Sequence, residues 1–455
     1  MILLDEILYH NFEPQKRQIQ SIAPKEETYD VSIVMPCLNE ELTLPGCIKE
    51  ALEAAEMIEE AYGYKTEIVI GDNGSTDRSI EIAESMGARV VNVTSKGYGS
   101  ALIGGVMGAK GRYVVIADSD GSYDFRECVP MIEQLRNGYE LCMGSRFKGQ
   151  IMPGAMPWKN RVIGNPLLTG ILNLIYRSGL SDAHCGIRSF TKAAFEKMKL
   201  TSPGMEFASE MVIKATLLDL RRTETPVTLR PDGRDRPPHL RPFRDGWRHL
   251  RYIFMLSPSW VFFLPSLAMF ALSLAVFGRI AIGSIFEAIP AAPVTTAGVV
   301  FAAMMLVVGH QGLLLGLAAI LDGVHTGYRK MGNLLENITH KLTLENMLSL
   351  GLVYGIGAIA ATGVWIWATT DQLLLTPLES TSLIVAAVTL FILAIQNVFG
   401  GFLLSIIAGN SASIYEKKEE TKPVSPLTFS QETYDTNPPY TSTPAKANVV
   451  ATTAK

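Results

Sequence analysis

Two aspartates one residue apart, Asp118 and Asp120, close the stretch YVVIADSD. Alternating carboxylates at a strand end offer hard oxygen ligands to a divalent cation that also bridges a diphosphate. Such a cation stabilises a nucleoside diphosphate as a leaving group. A lone pair of this kind reads equally well as a helix cap. Four more polar clusters, each following an apolar run, favour the chemical reading. Asn39 and Glu40 follow VSIVMP (31–36), and Asp72, Asn73 and Gly74 end EIVIGD (67–72). Lys96-Gly97-Tyr98-Gly99 follows ARVVNV (88–93), and Ser145-Arg146 ends LCMGSR (141–146). Ser119 lies between the two aspartates. Asp124 is either a third metal ligand or the cap of a helix starting near Phe125. Asp72 suits a hydrogen bond to a base N–H, and Asp77 suits the same role or caps its own helix. Gly97 and Gly99 either let the backbone approach a ligand closely or form a plain turn. No Walker lysine is present, so the site is not a P-loop.

Five clusters can act together only if a frame gathers them. The five apolar runs read as strands, with helical patterns near 42–62 and 77–86; Ser75-Thr76-Asp77 is a capping signal for the second. Near-continuous apolar strands separated by helices predict an α/β fold with a mostly parallel sheet covered on both faces. Ligands bind such sheets beyond the carboxyl ends of the strands, where all five clusters fall, so one crevice is expected.

The rest of the 455-residue chain is built differently. Four segments, roughly Trp260–Ile282, Val294–Ile320, Leu350–Thr369 and Leu383–Ala408, are long and apolar enough to span a bilayer. The loops at 283–293 and 370–381 lack Lys and Arg, whereas Arg329, Lys330 and Lys341 lie in the middle loop and Lys417 and Lys418 follow the last span. The positive-inside rule then places both termini and the middle loop in the cytoplasm, against the single dissent of Arg279. In RPFRDGWRHLRYIF (241–254), arginines alternate with Trp247, Tyr252 and Phe254, as suits a helix lying at the interface. Within the spans, His310–Gln311 and Gln396–Asn397 mark either a functional path or interhelical hydrogen bonds. The division expected is an N-terminal extension (1–29), a catalytic domain (30–240), a juxtamembrane helix (241–257), a four-helix membrane domain (258–409) and a disordered cytoplasmic tail (410–455). The N-terminus does not read as a signal peptide. The 5 cysteines have no framework spacing and read as ordinary buried thiols in a reduced compartment. The net charge of −4 averages over unlike regions and means little beside where the charges lie; no nucleic-acid partner is expected.

PCLNEE (36–41), GDNGSTD (71–77), KGYGSAL (96–102), DSDGSYD (118–124) and GSRF (144–147), in that order, resemble the GT-A domain of family 2 glycosyltransferases. Within that family the chain is similar to the polyprenyl-phosphate hexosyltransferases, the group of the dolichyl-phosphate mannose and glucose synthases. The resemblance covers roughly residues 30 to 250 and implies a Rossmann-like GT-A sheet followed by four transmembrane helices. It implies that Pro36, Asn39, Glu40 and Asp72 line a nucleotide-sugar pocket with Asn73, Gly97, Gly99 and Ser119. Asp118 and Asp120 would hold Mg²⁺ or Mn²⁺ on the donor diphosphate, and Arg146, Arg161 and Asn165 would bind the acceptor phosphate. Arg188 of HCGIRSF would border the active site, and Arg234 and Arg236 of PDGRDRPPH would form a basic loop over the diphosphate. A homo-oligomer at the inner (plasma) membrane is a further implication. The chain departs from its relatives at Asn73, where many carry a second Asp, and at Ser122, where mannose synthases often carry Gln. No QxxRW motif follows, which argues against a processive polymerase.

The expected reaction is a single inverting displacement of the nucleoside diphosphate by a polyprenyl phosphate at the cytoplasmic face. A phosphate is already anionic near neutral pH, its second pKa being about 6, so positioning and charge neutralisation outweigh base catalysis. Glu210 orients a sugar hydroxyl or pairs locally. Arg221 and Arg222 read as solvated or paired. The competing readings are a different lipid or glycan acceptor, and a non-catalytic membrane scaffold with a degenerate transferase domain.

Overall fold

The computed structural model describes residues 28–235, 242–285, 295–330, 341–370 and 377–408. Arg236, Arg241, Lys417 and Lys418, nearly all of the N-terminal extension and all of the C-terminal tail lie outside those residues.

The predicted strands form, and two more join them. The sheet comprises β1 (Val31–Cys37), β2 (Thr66–Asp72), β3 (Arg89–Asn92), β4 (Tyr113–Ile116), β5 (Leu141–Ile151), β6 (Arg188–Thr191) and β7 (Arg222–Leu229). Their order is β3-β2-β1-β4-β6-β5-β7. Strands β1 to β4 are parallel, and β6 runs antiparallel between β4 and β5. Strand β7 lies parallel to β5 at the edge, where Pro226 is tolerated because the edge needs no further N–H donor.

Alternation explains why the central strands are apolar throughout. Ile33, Met35, Ile68, Ile70 and Val115 point into one core, with α1 (Leu44–Tyr62). Val34, Val69, Val114 and Ile116 point into the other. That second core also takes residues from α3 (Tyr98–Gly108), α5 (Asn165–Tyr176), α6 (Lys192–Met198) and α7 (Phe207–Leu217). Helices α2 (Ser79–Ser85) and α4 (Val129–Arg136) complete the layer over the first core. Each fully buried aliphatic side chain stabilises the domain by roughly 1.5–3 kcal/mol. All five cysteines are free and buried, and burial pushes Cys47 and Cys128 up to about 12, away from nucleophilic chemistry.

Helix α8 (Pro242–Met255) follows the domain. Its inner face carries Asp245, His249 and Ile253, one turn apart and all buried, whereas Phe243 is 97 % and Trp247 63 % exposed. That inversion, with polar groups inside and aromatics outside, fits a helix against lipid headgroups. Four helices long and apolar enough to cross a membrane come next: Ser259–Arg279, Thr296–His325, Leu344–Thr370 and Leu378–Ile407. The second, third and fourth extend past the predicted apolar stretches because polar residues at a span's end continue the helix into the interface.

Between the second and fourth spans, His310 Nδ1 meets Gln396 Oε1 at 2.8 Å and Gln396 Nε2 donates to Val307 O at 3.4 Å. These polar groups join two helices, the hydrogen-bonding alternative raised from the sequence. The chain after the second span turns back onto the soluble domain. Lys199 Nζ donates to Thr326 O at 2.8 Å, Arg329 Nη2 donates to Leu256 O at 2.7 Å, and the Tyr328 ring packs against the second core beneath Lys214 Nζ. The middle loop therefore begins on the same side of the spans as the α/β domain.

Candidate active site

A cavity of about 1110 Å³ opens at the carboxyl ends of the strands, where the crevice was expected. Pro36, Glu40, Asn73, Gly97, Asp118, Ser119, Asp120, Arg146, Asn165, Arg188 and Arg234 all line it. Asn39, Asp72, Gly99, Asp124 and Arg161 do not.

Asp118 and Asp120 follow β4 directly. Burial, and then the charge of Asp120, raise the Asp118 pKa, while the Tyr98 hydroxyl bonds to its carboxylate. The loop before β6 presses against this pair, since a Cβ on Gly186 would meet Asp118 Oδ2 at 2.5 Å. Asp120 Oδ1 accepts from Ser122 Oγ at 2.5 Å. Its Oδ2 lies 2.8 Å from Arg234 Nη1, and the same guanidinium reaches Glu40 Oε1 at 2.8 Å. Two crowded carboxylates, one of them with a raised pKa, hold surplus negative charge that a hard cation would relieve, with diphosphate and water completing its shell. Among the described residues no third His, Cys, Asp or Glu joins them.

Several expected ligands instead hold the crevice's loops. Asp124 caps the 3-10 turn Phe125–Cys128 through Arg126 N and is chelated by the Arg126 guanidinium at 2.8 Å through each oxygen; Arg230 pairs with it as well. The capping alternative therefore describes Asp124, not that of a third metal ligand. Asp72 accepts from Gly74 N and Ser75 N, and Asp77 from Ser79 N and Glu41 N. Asn39 adopts a left-handed conformation (φ 57°) and accepts from Thr76 N, latching the first loop to the second. Gly97 and Gly99 make room for protein: a Cβ on either would run into the carbonyls of Pro203 or Ser202.

Asn73 explains its own departure from the acidic pattern. Its Nδ2 donates to Val93 O at 3.1 Å and Ser95 O at 2.7 Å, and its Oδ1 accepts from Gly97 N at 2.7 Å. A carboxylate cannot make the first two bonds. Asn73→Asp is expected to destabilise the domain by about 1–3 kcal/mol, read as a lowered denaturation midpoint, with local loss of amide protection over 93–97. An unchanged midpoint would refute this role.

The arginines divide by burial. Arg146 is buried, clasps the fully buried Asp182 with Nε and Nη2, both at 2.7 Å, and lines the cavity. Arg188 is fully buried and donates to three carbonyls, Cys185 O, Ala208 O and Ala183 O, so it holds the 183–188 loop together. Arg161 is exposed on a π-helical turn, Asn160–Gly164, with no partner among the described residues. Glu210 is buried, paired with Lys214 at 2.7 Å and bonded to Thr201 N and Ser202 N, which is the local alternative. Sequence reasoning missed Asp182 and the group His184, Ser209 and His249. Asp182 lies just upstream of HCGIRSF, but its partner Arg146 is 36 residues away in sequence.

A mostly parallel sheet with an Asp-X-Asp pair beyond its central strand, feeding four membrane-spanning helices, defines a GT-A glycosyltransferase with a transmembrane region. Residues 32–199 match the family described as "Glycosyl transferase family 2", and residues 317–408 match "Glycosyltransferase family 2 C-terminal transmembrane region". The low-salt glycan biosynthesis hexosyltransferase Agl6 of Haloferax volcanii is 34 % identical over 383 residues, covering 82 % of this chain and 88 % of that one. A dolichyl-phosphate hexose transferase of the same organism is 27 % identical over 203 residues, covering 44 % of this chain and 83 % of that one. Among solved structures, glucosyl-3-phosphoglycerate synthase from Mycobacterium tuberculosis, with Mn²⁺ and UDP-glucose, aligns with a TM-score of 0.38 at 21 % identity over 50 % of this chain and 78 % of that one. The chain belongs to family 2 of the glycosyltransferases.

Proposed function

We propose that the enzyme transfers a hexose from a nucleotide sugar, UDP-glucose or GDP-mannose, to a polyprenyl phosphate at the cytoplasmic membrane face, with inversion. The carrying observation is the mixed lining of the cavity. Asp118, Asp120, Glu40 and Arg146 line it together with Leu167, Leu168 and Ile171 of α5 and Phe243, Trp247 and Leu250 of α8. Helix α8 leads straight into the first span, so its part of the lining adjoins lipid. A water-soluble acceptor has no use for the apolar part of that lining, whereas a phosphate on a hydrocarbon chain needs both kinds of lining. The names of the two Haloferax relatives support a hexose and, in one case, a dolichyl-phosphate acceptor.

Asp118 and Asp120 fit a divalent cation, Mg²⁺ or Mn²⁺, which when bound neutralises charge on the leaving diphosphate. Arg146, fixed by Asp182, meets the acceptor phosphate, and Asn165 lines the same cavity. The acceptor phosphate oxygen forms a bond to the anomeric carbon as the bond from that carbon to the diphosphate oxygen breaks, and the electron pair leaves with the nucleotide. Arg161, exposed at the rim, is placed to meet headgroup charge.

The test is transfer in detergent by the full chain, with undecaprenyl phosphate, Mg²⁺ or Mn²⁺, and labelled UDP-glucose and GDP-mannose in parallel. Chloroform-soluble label from one donor is expected. Its absence across a wider donor panel, with folded protein, would overturn the reading.

A further inference from the structure

Three residues from distant elements meet in the cavity wall and take no part in the mechanism above. His184 precedes β6, Ser209 lies in α7 and His249 in α8. Ser209 Oγ sits 3.1 Å from His184 Nε2 and 2.8 Å from His249 Nδ1, and the two rings meet edge to face at 4.7 Å. Both histidines line the cavity. The second ring nitrogen of His184, Nδ1, is buried and has no hydrogen-bond partner. A buried polar atom without a partner costs roughly 1–3 kcal/mol, so something is expected to fill that position in the working enzyme.

The ring chemistry narrows what it is. Burial, then His249, holds the His184 pKa well below 6.5, and burial lowers His249 to about 4, so both rings are neutral. Each neutral ring has one N–H, and the Ser209 hydroxyl has one proton. If Ser209 donates to His249, His184 donates through Nε2 and its Nδ1 is an acceptor. If Ser209 donates to His184, Nδ1 carries the proton and is a donor. A hydroxyl pairs with Nδ1 in either arrangement, whereas a phosphate oxygen can only accept. Two residues further on, Gly186 abuts Asp118, so His184 lies close in sequence to a contact with the aspartate pair proposed to hold the diphosphate's cation.

Resting on the function proposed above, we infer that His184 Nδ1 binds a hydroxyl of the hexose being transferred, and that Ser209 and His249 fix the ring for that contact. His184 is then a specificity-determining residue, and the other two are positioning residues.

The experiment is calorimetric titration of the full chain in detergent with Mn²⁺, comparing UDP with UDP-glucose and GDP with GDP-mannose. For the donor that the wild type prefers, His184→Ala is expected to weaken nucleotide-sugar binding roughly tenfold, one good hydrogen bond to an otherwise unpaired group. Affinity for the bare nucleotide should stay within twofold. Ser209→Ala, which removes only a hydroxyl, is expected to lose part of the sugar increment, and it serves as the second probe should His184→Ala unfold. Equal losses for nucleotide and nucleotide sugar, or none for either, would overturn the assignment and leave the transferase reading intact. No nucleotide-sugar binding by the wild type would overturn both.

Discussion

Asp120→Asn is expected to lower sugar transfer to lipid by roughly 10²–10³-fold or more, the scale at which loss of one preorganised charge-stabilising group registers. Asparagine keeps the size of the side chain and an oxygen for Ser122, so the loop 118–124 retains its shape. What disappears is the negative charge that faces Asp118 and Arg234 Nη1. The measurement is the initial rate of chloroform-soluble label, with Mn²⁺ uptake by equilibrium dialysis run beside it. Loss of both would tie the carboxylate to the cation. A variant retaining more than a tenth of the rate would remove Asp120 from the charge chemistry and leave it a partner of Arg234.

The largest effect on stability is expected at Asp182→Ala. That change strands the Arg146 guanidinium, itself buried, without its bidentate partner. Breaking a buried pair by removing one member costs about 3–5 kcal/mol, a drop of roughly 10 °C or more in the domain's melting temperature at this size. Replacing both members, Arg146→Met with Asp182→Leu, removes the stranded charge and should recover most of the loss, as apolar replacements of buried ion pairs often do. Transfer should nevertheless stay abolished in the double variant, because the Arg146 guanidinium is gone. Recovery of both stability and transfer would show that Arg146 serves only the fold.

What the sequence made legible follows the reach of its signals. Strands β1 to β5 are readable because each is an apolar run closed by a polar cluster, and Asp118, Asp120, Glu40 and Arg146 reach the cavity because they lie at the ends of such runs. Strand β6, RSFT, is four residues long and sits inside a motif; β7, RTETPVTL, alternates polarity and contains a proline. Neither resembles the continuous apolar strands around it, and the antiparallel placement of β6 depends on which neighbours it finds. Three expected site residues that do not line the cavity share one feature. Asp72, Asp124 and Asn39 carry the right groups at the right loop, but backbone N–H groups or arginines a few ångströms away claim them. Sequence position carries a residue to the crevice and cannot say which way its oxygen turns. Asp182 and Ser209 were missed because their partners come from other elements.

The contacts between the second span and the α/β domain bear on how the two reactants can meet. The short link at Leu256–Ser257 between α8 and the first span is where a swinging domain would flex, yet the Leu256 carbonyl is tied down by Arg329, which follows the second span. Lys199 and Tyr328 fasten the same face at two more points. These contacts tie the domain that carries the cavity to the chain that follows its own second span. Under the proposed function, an acceptor embedded in the bilayer would reach the site by lateral diffusion, so its encounter rate would be governed by molecules per unit of membrane area, while the nucleotide sugar would arrive from a volume.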